Sequence, residues 1–195
     1  MGDLGGNTFQ NPLNPATDRD NCGEDFRNNF NFSAVARSAI KHGLGGALLG
    51  NWQIAPLVSI VSGTRVTPTT GTDASLTGVN VDRPNQIGPA YLTGQGRKVV
   101  LNPASFVANT AGTYGNTRPY EFLGPTYYDL DGAITRFFPI HEAVQLEFRS
   151  ECFDCLNHPN LPGPTAARNS SLFGQITTTT PYTPRILQFS LKLDF

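Results

Sequence analysis

Charge is scarce in this sequence. Its 195 residues include 14 Lys and Arg and 15 Asp and Glu, 15% of the chain with a net charge of −1, against about 25% charged residues in an ordinary soluble domain. Phosphate binding needs a basic excess or stripe, so nucleic acid is excluded as a partner. Cysteine is limited to Cys22, Cys152 and Cys155, too few for a disulfide framework. The longest apolar stretch runs from Ile54 to Val61, is broken by Ser59, and falls far short of the roughly 20 residues of a spanning helix. Met1-Gly2-Asp3-Leu4-Gly5-Gly6 offers neither the basic nor the apolar region of a secretory signal. The expectation is a cytoplasmic chain or one lacking its true beginning.

Turn-formers and aromatics are plentiful. Gly and Pro make up 35 of the 195 residues, and Phe alone supplies 13. Few charges, few aliphatics and many Phe describe strands joined by long loops and exclude a helical bundle.

Residues 1–27 are polar and turn-rich and read as a loop, not a core element. From Asn28 a period of two begins, with Phe30, Phe32, Ala34 and Ala36 alternating with Asn29, Asn31, Ser33 and Arg37. The glycines at 43, 45 and 46 argue against a helix through Ile40, Leu44, Ala47 and Leu48, since each costs about 1 kcal/mol against Ala. A second run places Trp52, Ile54, Val58 and Ile60 on one face. Pro56 inside it calls for a bulge or an edge position. Residues 63–126 form a long loop region in which Val99-Val100-Leu101 could make an extra hairpin; loops of this length usually mark function or disorder. Alternation resumes over Tyr128–Phe138, turns at Pro139-Ile140-His141-Glu142, and continues over Val144–Cys152. After a loop over 157–183 comes the clearest strand. Leu187, Phe189, Leu191, Leu193 and Phe195 oppose Gln188, Ser190, Lys192 and Asp194, unbroken to the terminal carboxylate.

A soluble sandwich also alternates, but three details favour a membrane barrel. The polar side holds full charges at Glu147, Arg149, Glu151, Lys192 and Asp194, which suits a wet lumen. The apolar side uses large residues over about ten positions, about 25 Å of depth at a 45° tilt. Connections alternate short and long, as periplasmic turns and extracellular loops do.

Several segments resemble the C-terminal part of TonB-dependent outer-membrane receptors, in particular the Oar-like group with a carboxypeptidase-regulatory-like N-terminal domain. They are Leu49-Gly50-Asn51-Trp52-Gln53-Ile54, Ser62-Gly63, Leu101-Asn102-Pro103-Ala104-Ser105-Phe106, and Gly124-Pro125 leading to Asp129-Leu130-Asp131. Phe148-Arg149-Ser150-Glu151 through Leu156-Asn157-His158-Pro159-Asn160, Phe173-Gly174-Gln175-Ile176, and Arg185-Ile186-Leu187-Gln188-Phe189 to Phe195 complete the set, from about residue 25 to the end. The resemblance implies an all-β fold, a partial antiparallel transmembrane β-barrel of about five or six C-terminal strands, with extracellular loops at about 63–126 and 157–183. The division expected is a polar loop region over 1–27 and a barrel segment over 28–195. Leu187, Phe189, Leu191, Leu193 and Phe195 resemble the barrel-assembly signal. Asp129, Asp131, Gln145, Glu147, Arg149, Glu151, Gln188 and Lys192 would face the lumen, and Trp52, Tyr127 and Tyr128 the membrane interface.

The family's barrel has about 22 strands, and its signal peptide, plug and TonB-contacting segment have no counterpart here, so the chain reads as a C-terminal fragment or truncated product. Implied partners are outer-membrane lipid, the barrel-assembly machinery and the rest of the receptor chain (plug and remaining strands), and through it TonB. The location is the bacterial outer membrane as part of the full-length receptor, with no cofactor and no enzymatic activity. The isolated chain is expected to aggregate or oligomerise.

The same residues offer other chemistry. Cys152-x-x-Cys155 with His158 could be a metal or redox motif, but residues i and i+3 of a strand point to opposite faces. His42, His141 and His158 lack a G-x-S-x-G partner for acyl chemistry. Glu147, Arg149, Glu151, Asp129 and Asp131 could serve as paired carboxylates or as a lumen wall with charges paired laterally across strands. Tyr114, Tyr120, Phe122, Tyr127 and Tyr128 could stack on a ligand or form an aromatic girdle, the girdle being favoured for Tyr127 and Tyr128. The rivals to a receptor fragment are a soluble secreted β-sandwich binding module for a carbohydrate-like ligand and, more weakly, a small CxxC protein.

Overall fold

The computed structural model describes residues 10–11, 13–40, 43–78, 80, 82–95, 100–142, 144–177 and 184–195. Its elements in chain order are β1 (Asn29–Ser33), β2 (Ala36–Arg37), α1 (Gly43–Leu49), β3 (Trp52–Val61), β4 (Arg65–Val66), β5 (Asn85–Gln86), β6 (Phe106–Val107), β7 (Phe122–Leu123), β8 (Tyr127–His141), β9 (Val144–Phe153) and β10 (Ile186–Asp194). They divide between two compact units.

The first unit holds β1–β3, α1 and β8–β10 within Asn28–Val61, Tyr127–Asn160 and Pro181–Phe195. It is one antiparallel sheet in the order β1-β3-β8-β9-β10, with β2 beside β1 on the outer side of β3. The sheet does not close. Among the described residues, β10 pairs only with β9, and β1 and β2 only with β3.

Proline explains the break between β1 and β2. A strand residue's N and C=O point to the same neighbour, and Pro56 accepts there from Ala34 N–H at 3.2 Å but cannot donate in return. Ser33 pairs with Leu57 and Ala36 with Ile54, so the register passes the gap unshifted. The expected bulge or edge position is therefore corrected: β3 is an interior strand, and its ladder to β8 is whole from Trp52↔Arg136 to Val61↔Tyr127. The second proline correction lies in β8, which continues through Pro139 to His141 where a turn was expected. The register slips between Pro139↔Gln145 and His141↔Val144, a bulge that accommodates the missing donor. A third correction is α1, a helix in spite of its glycines.

The second unit assembles Met1–Arg27, Ser62–Thr126 and Leu161–Thr180. These segments are largely irregular, as expected of loops, and they nevertheless build a core. Val66, Leu101, Phe106, Phe122 and Phe173 are its buried apolar residues, with the Phe106 ring edge-on to Phe122 at 5.3 Å and to Phe173 at 5.5 Å. Phe122 thus belongs to a core, not to a girdle. Two-residue ladders β4–β7 and β5–β6 tie the segments together. Of the suspected hairpin, Leu101 bridges Tyr91, while Val99 lies outside the described residues.

Arg83 organises the polar side of this unit. Its side chain is 5% exposed and that of its ion partner Asp18 is 9%. Arg83 Nη1 donates to Asp18 at 2.5 Å, Nε to Thr117 O at 2.8 Å and Nη2 to Thr17 O at 3.1 Å. Its backbone N–H donates to the Gln10 side chain, and its carbonyl accepts from Asn109. A Cβ at Gly115 would collide with that same carbonyl. Gln10, 1% exposed, corrects the reading of 1–27 as lying outside any core.

A sandwich needs a core against its sheet. Among the described residues, the five buried apolar ones all belong to the second unit.

Breaking a buried ion pair on one side leaves an uncompensated charge. Arg83→Met should therefore destabilise the second unit by about 3–5 kcal/mol, read as lost amide-exchange protection at Phe106 and Thr117. Adding Asp18→Leu should recover part of the loss.

Candidate functional site

Directly opposed residues in an antiparallel ladder share a face, so the registers sort every sheet residue. One face carries Phe30, Phe32, Trp52, Ile54, Val58, Ile60, Tyr128, Leu130, Ile134, Phe138, Leu146, Phe148, Leu187, Phe189, Leu191 and Leu193. Apart from Arg136 at its turn-end margin and Ser150, it is apolar over five neighbouring strands and largely uncovered; Phe189 and Leu191 are 64% and 67% exposed. Phe195 follows the end of β10 at 95% exposure. Such an area far exceeds the apolar patches that water-facing surfaces carry.

The face has aromatic margins. Tyr128 and Phe30 stand at the long-loop end, and Trp52 and Phe138 at the turn end. Tyr128 and Phe138 are ten positions apart on β8, about 33 Å of strand and about 23 Å of depth at a 45° tilt. Tyr127 is placed differently from its neighbour. It lies on the opposite face, where its hydroxyl donates to Asp129 at 3.3 Å.

That opposite face gathers Asp129, Asp131, Gln145, Glu147, Arg149, Glu151, Gln188 and Lys192 through the pairs Glu151↔Gln188, Glu147↔Lys192 and Thr135↔Arg149. The charges do not pair laterally as expected. Arg149 bonds Glu151 at 2.6 Å and Lys192 bonds Asp194 at 2.6 Å, each two residues along its own strand. Although Lys192 stands opposite Glu147, its ammonium bridges to Asp194, on the same face of its own strand.

Side chains finish the sheet at the loop end. Asn160 accepts from Tyr128 N–H at 2.8 Å and donates to Tyr128 O at 2.9 Å, imitating a strand partner. Asp154 accepts from His158 N–H and Asn157 from Arg185 N–H. Asp154 and Asn157 take positive φ, 46° and 48°, so the chain bends back after Phe153. Cys155 then returns beside Cys152, joined to it in a disulfide with Cα atoms 5.3 Å apart. The opposite-face expectation for this pair is corrected because the strand ends between them.

Among the described residues no three His, Cys, Asp or Glu side chains converge. His42 lies outside those residues; His141 ends β8 and His158 sits edge-on to Tyr128 at 5.7 Å. In the other unit a cavity of about 310 Å³ opens beside Arg83, walled by Ala16, Thr17, Gly115, Asn116, Thr117 and Arg118. The sequence pattern singles out neither Arg83 nor Arg136, and it includes Asn160 only within a segment of the resemblance, without its bonds to Tyr128. The polar run Asp82-Arg83-Pro84-Asn85 is the only signal it gives for the first.

A family model described as an outer membrane beta barrel domain matches residues 1–188. Comparison with curated proteins finds no match, nor does comparison with solved structures.

In the loop unit Asp73 accepts from Gly78 N–H at 2.8 Å, Thr77 N–H at 3.0 Å and Ser75 Oγ at 3.3 Å. The Gly78 bond above all holds its carboxyl below the ordinary carboxylate value. A folded value below the unfolded one gives stability that is complete above the unfolded value and lost as pH falls through the folded one. The Gly78 and Thr77 amide resonances should therefore stay constant down to about pH 4 and shift only below it. In Asp73→Asn that transition should disappear.

Proposed function

This chain belongs to the outer membrane beta barrel family, and from that premise we propose that it is the C-terminal end of a TonB-dependent receptor that takes up a scarce solute. Its sheet is a partial barrel wall, antiparallel and unclosed. The observation that carries the receptor reading is β10: Leu187, Phe189, Leu191 and Leu193 at every second residue, on a strand that among the described residues pairs only with β9. In hydrocarbon each unpaired N–H or C=O costs several kcal/mol, so the open edges of β1 and β10 need further strands of the same barrel.

In this reading the apolar face meets lipid and the face of Asp129, Glu147, Arg149 and Lys192 lines the lumen. The segments 63–126 and 157–183 are extracellular, and the Arg83 cavity is the place for ligand contacts. Arg118 supplies a cation at its wall. The chain has no catalytic role; it contributes wall, loops and the assembly signal. The barrel-assembly machinery recognises β10, and the plug and TonB act through the remainder of the receptor.

The test is to follow the reading frame upstream of Met1 and assay the encoded protein. Support would be a frame that continues through further alternating strands, with uptake abolished in cells lacking TonB. A stop codon and ribosome-binding site just before Met1, or uptake indifferent to TonB, would sink the receptor reading.

Two mutational outcomes follow. Leu193→Asp or Phe195→Asp in the full-length protein should lower its outer-membrane level, measured by immunoblot of membrane fractions. An arginine near the bilayer midplane costs about 2–4 kcal/mol on a lipid-facing side and little on a lumen side. Phe189→Arg should therefore destabilise the barrel by about that much in a denaturant titration in lipid, whereas the adjacent Gln188→Arg should be tolerated.

A further inference from the structure

The connection between β2 and β3 contains an element that water alone does not explain. α1 is seven residues long, three of them glycine. Glycine disfavours helix, and helices shorter than about 12–15 residues are marginal in water even in good sequences. Its leucines face outward; Leu44, Leu48 and Leu49 are 86%, 66% and 60% exposed.

Three carbonyls at its C-terminal end are satisfied internally. Trp52 Nε1 donates to Leu48 O at 2.9 Å, Ser38 Oγ to Leu49 O at 2.5 Å, and Gly50 N–H to Gly46 O at 3.0 Å. Carbonyls that a helix end ordinarily leaves to water are taken. The result is an apolar outer surface with the carbonyls of Gly46, Leu48 and Leu49 occupied, a poor surface for water and a suitable one for a lipid boundary.

The location fits. Trp52 stands on the apolar face of the sheet, so the indole that caps α1 also belongs to the lipid-facing wall at its turn-end margin. At the same level the Arg136 guanidinium lies 5.0 Å from the Trp52 ring and 4.8 Å from the Phe138 ring. A cation stacked on interfacial aromatics sits at the depth of lipid phosphates. Short connections of outer-membrane barrels face the periplasm.

We propose that α1 is an interfacial helix, embedded by Leu44, Leu48 and Leu49 in the headgroup–acyl boundary of the periplasmic phospholipid leaflet, with Arg136 engaging the phosphates at the same depth. Its occupant is a glycerophospholipid surface, continuous with the lipid that covers the sheet. The inference rests on membership of the barrel family and not on the receptor reading.

Trp52 is the sole tryptophan of the chain, which makes the test direct. The complete barrel that contains this chain, with any tryptophan outside it replaced by phenylalanine, is refolded into vesicles of phosphatidylethanolamine and phosphatidylglycerol whose acyl chains carry bromine near the headgroup. Quenching of Trp52 establishes that the sheet is in the bilayer. In a Trp52→Phe background, Leu44→Trp then reads the helix. The expected result is a blue-shifted emission quenched as strongly as that of Trp52. A water-like emission without quenching at position 44 overturns the proposal, whether or not Trp52 is quenched. In the native background Leu44→Asp with Leu48→Asp, retaining the β circular dichroism, should weaken the quenching of Trp52; unchanged quenching also overturns it.

Discussion

Hydrocarbon offers no hydrogen bonds, and the rest of the sheet follows from that constraint. Every N–H and C=O at membrane depth must meet another strand. Ladders of nine and ten residue pairs between β10 and β9 and between β3 and β8 satisfy this in the interior. The same ladders fix the register, and the register gathers most of the large apolar side chains on one side, leaving Leu57, Phe137 and Phe153 on the other. A slip of one residue would turn Phe189 and Leu191 toward the Lys192 face and bring charge to lipid. Backbone pairing and side-chain sorting are thus one constraint. Pro56 shows how little slack it has: its missing donor falls on the β1–β2 side, the ladder there is interrupted, and the register still holds.

Within the loop unit the organising principle is reversed. Regular ladders shrink to two residues each, and a buried guanidinium takes over their role. Arg83 gathers carbonyls and a carboxylate from Thr17, Asp18 and Thr117, while Gln10 and Asn109 bond its own backbone. Planar guanidinium geometry allows one side chain to satisfy several acceptors at once. That suits segments far apart in sequence and too rich in Gly and Pro for strands. The three phenylalanines packed edge-on nearby supply the apolar half of the same solution.

Much of the sheet was legible in the sequence, because a period of two is a local signal that survives without knowledge of partners. Phe30 and Phe32, Ile134, Phe148 and the run from Leu187 to Phe195 identify their strands by alternation alone, and the placement of the polar residues from Asp129 to Lys192 on one face follows from it. Pairing partners were less legible. The pairing of Arg149 with Glu151, rather than with a neighbour strand, depends on rotamers that alternation does not encode. The loop core was opaque for a different reason. Leu101, Phe106, Phe122 and Phe173 lie in apolar runs of only two or three residues in turn-rich surroundings, and only contacts across tens of residues make them a core. Gln10 was hidden in the same way, since a buried glutamine and an exposed one look alike in sequence.

The ends of the strands also have a common logic. Where the ladder stops, a side chain substitutes for the missing strand. At the loop end Asn160 bonds both the N–H and the C=O of Tyr128, and Asp131 accepts from Asp154 N–H at 2.9 Å. At the turn end Trp52 and Ser38 close the last carbonyls of α1. Asn and Asp at the wet end can exchange their bonds with water at small cost. A tryptophan cap at the other end couples a helix terminus to an aromatic ring, which suits a boundary where water thins out. The chemistry of the caps therefore differs between the two ends as the solvent around a membrane wall does, and the sequence segments Leu156-Asn157-His158-Pro159-Asn160 and Leu49-Gly50-Asn51-Trp52 have physical reasons to be what they are.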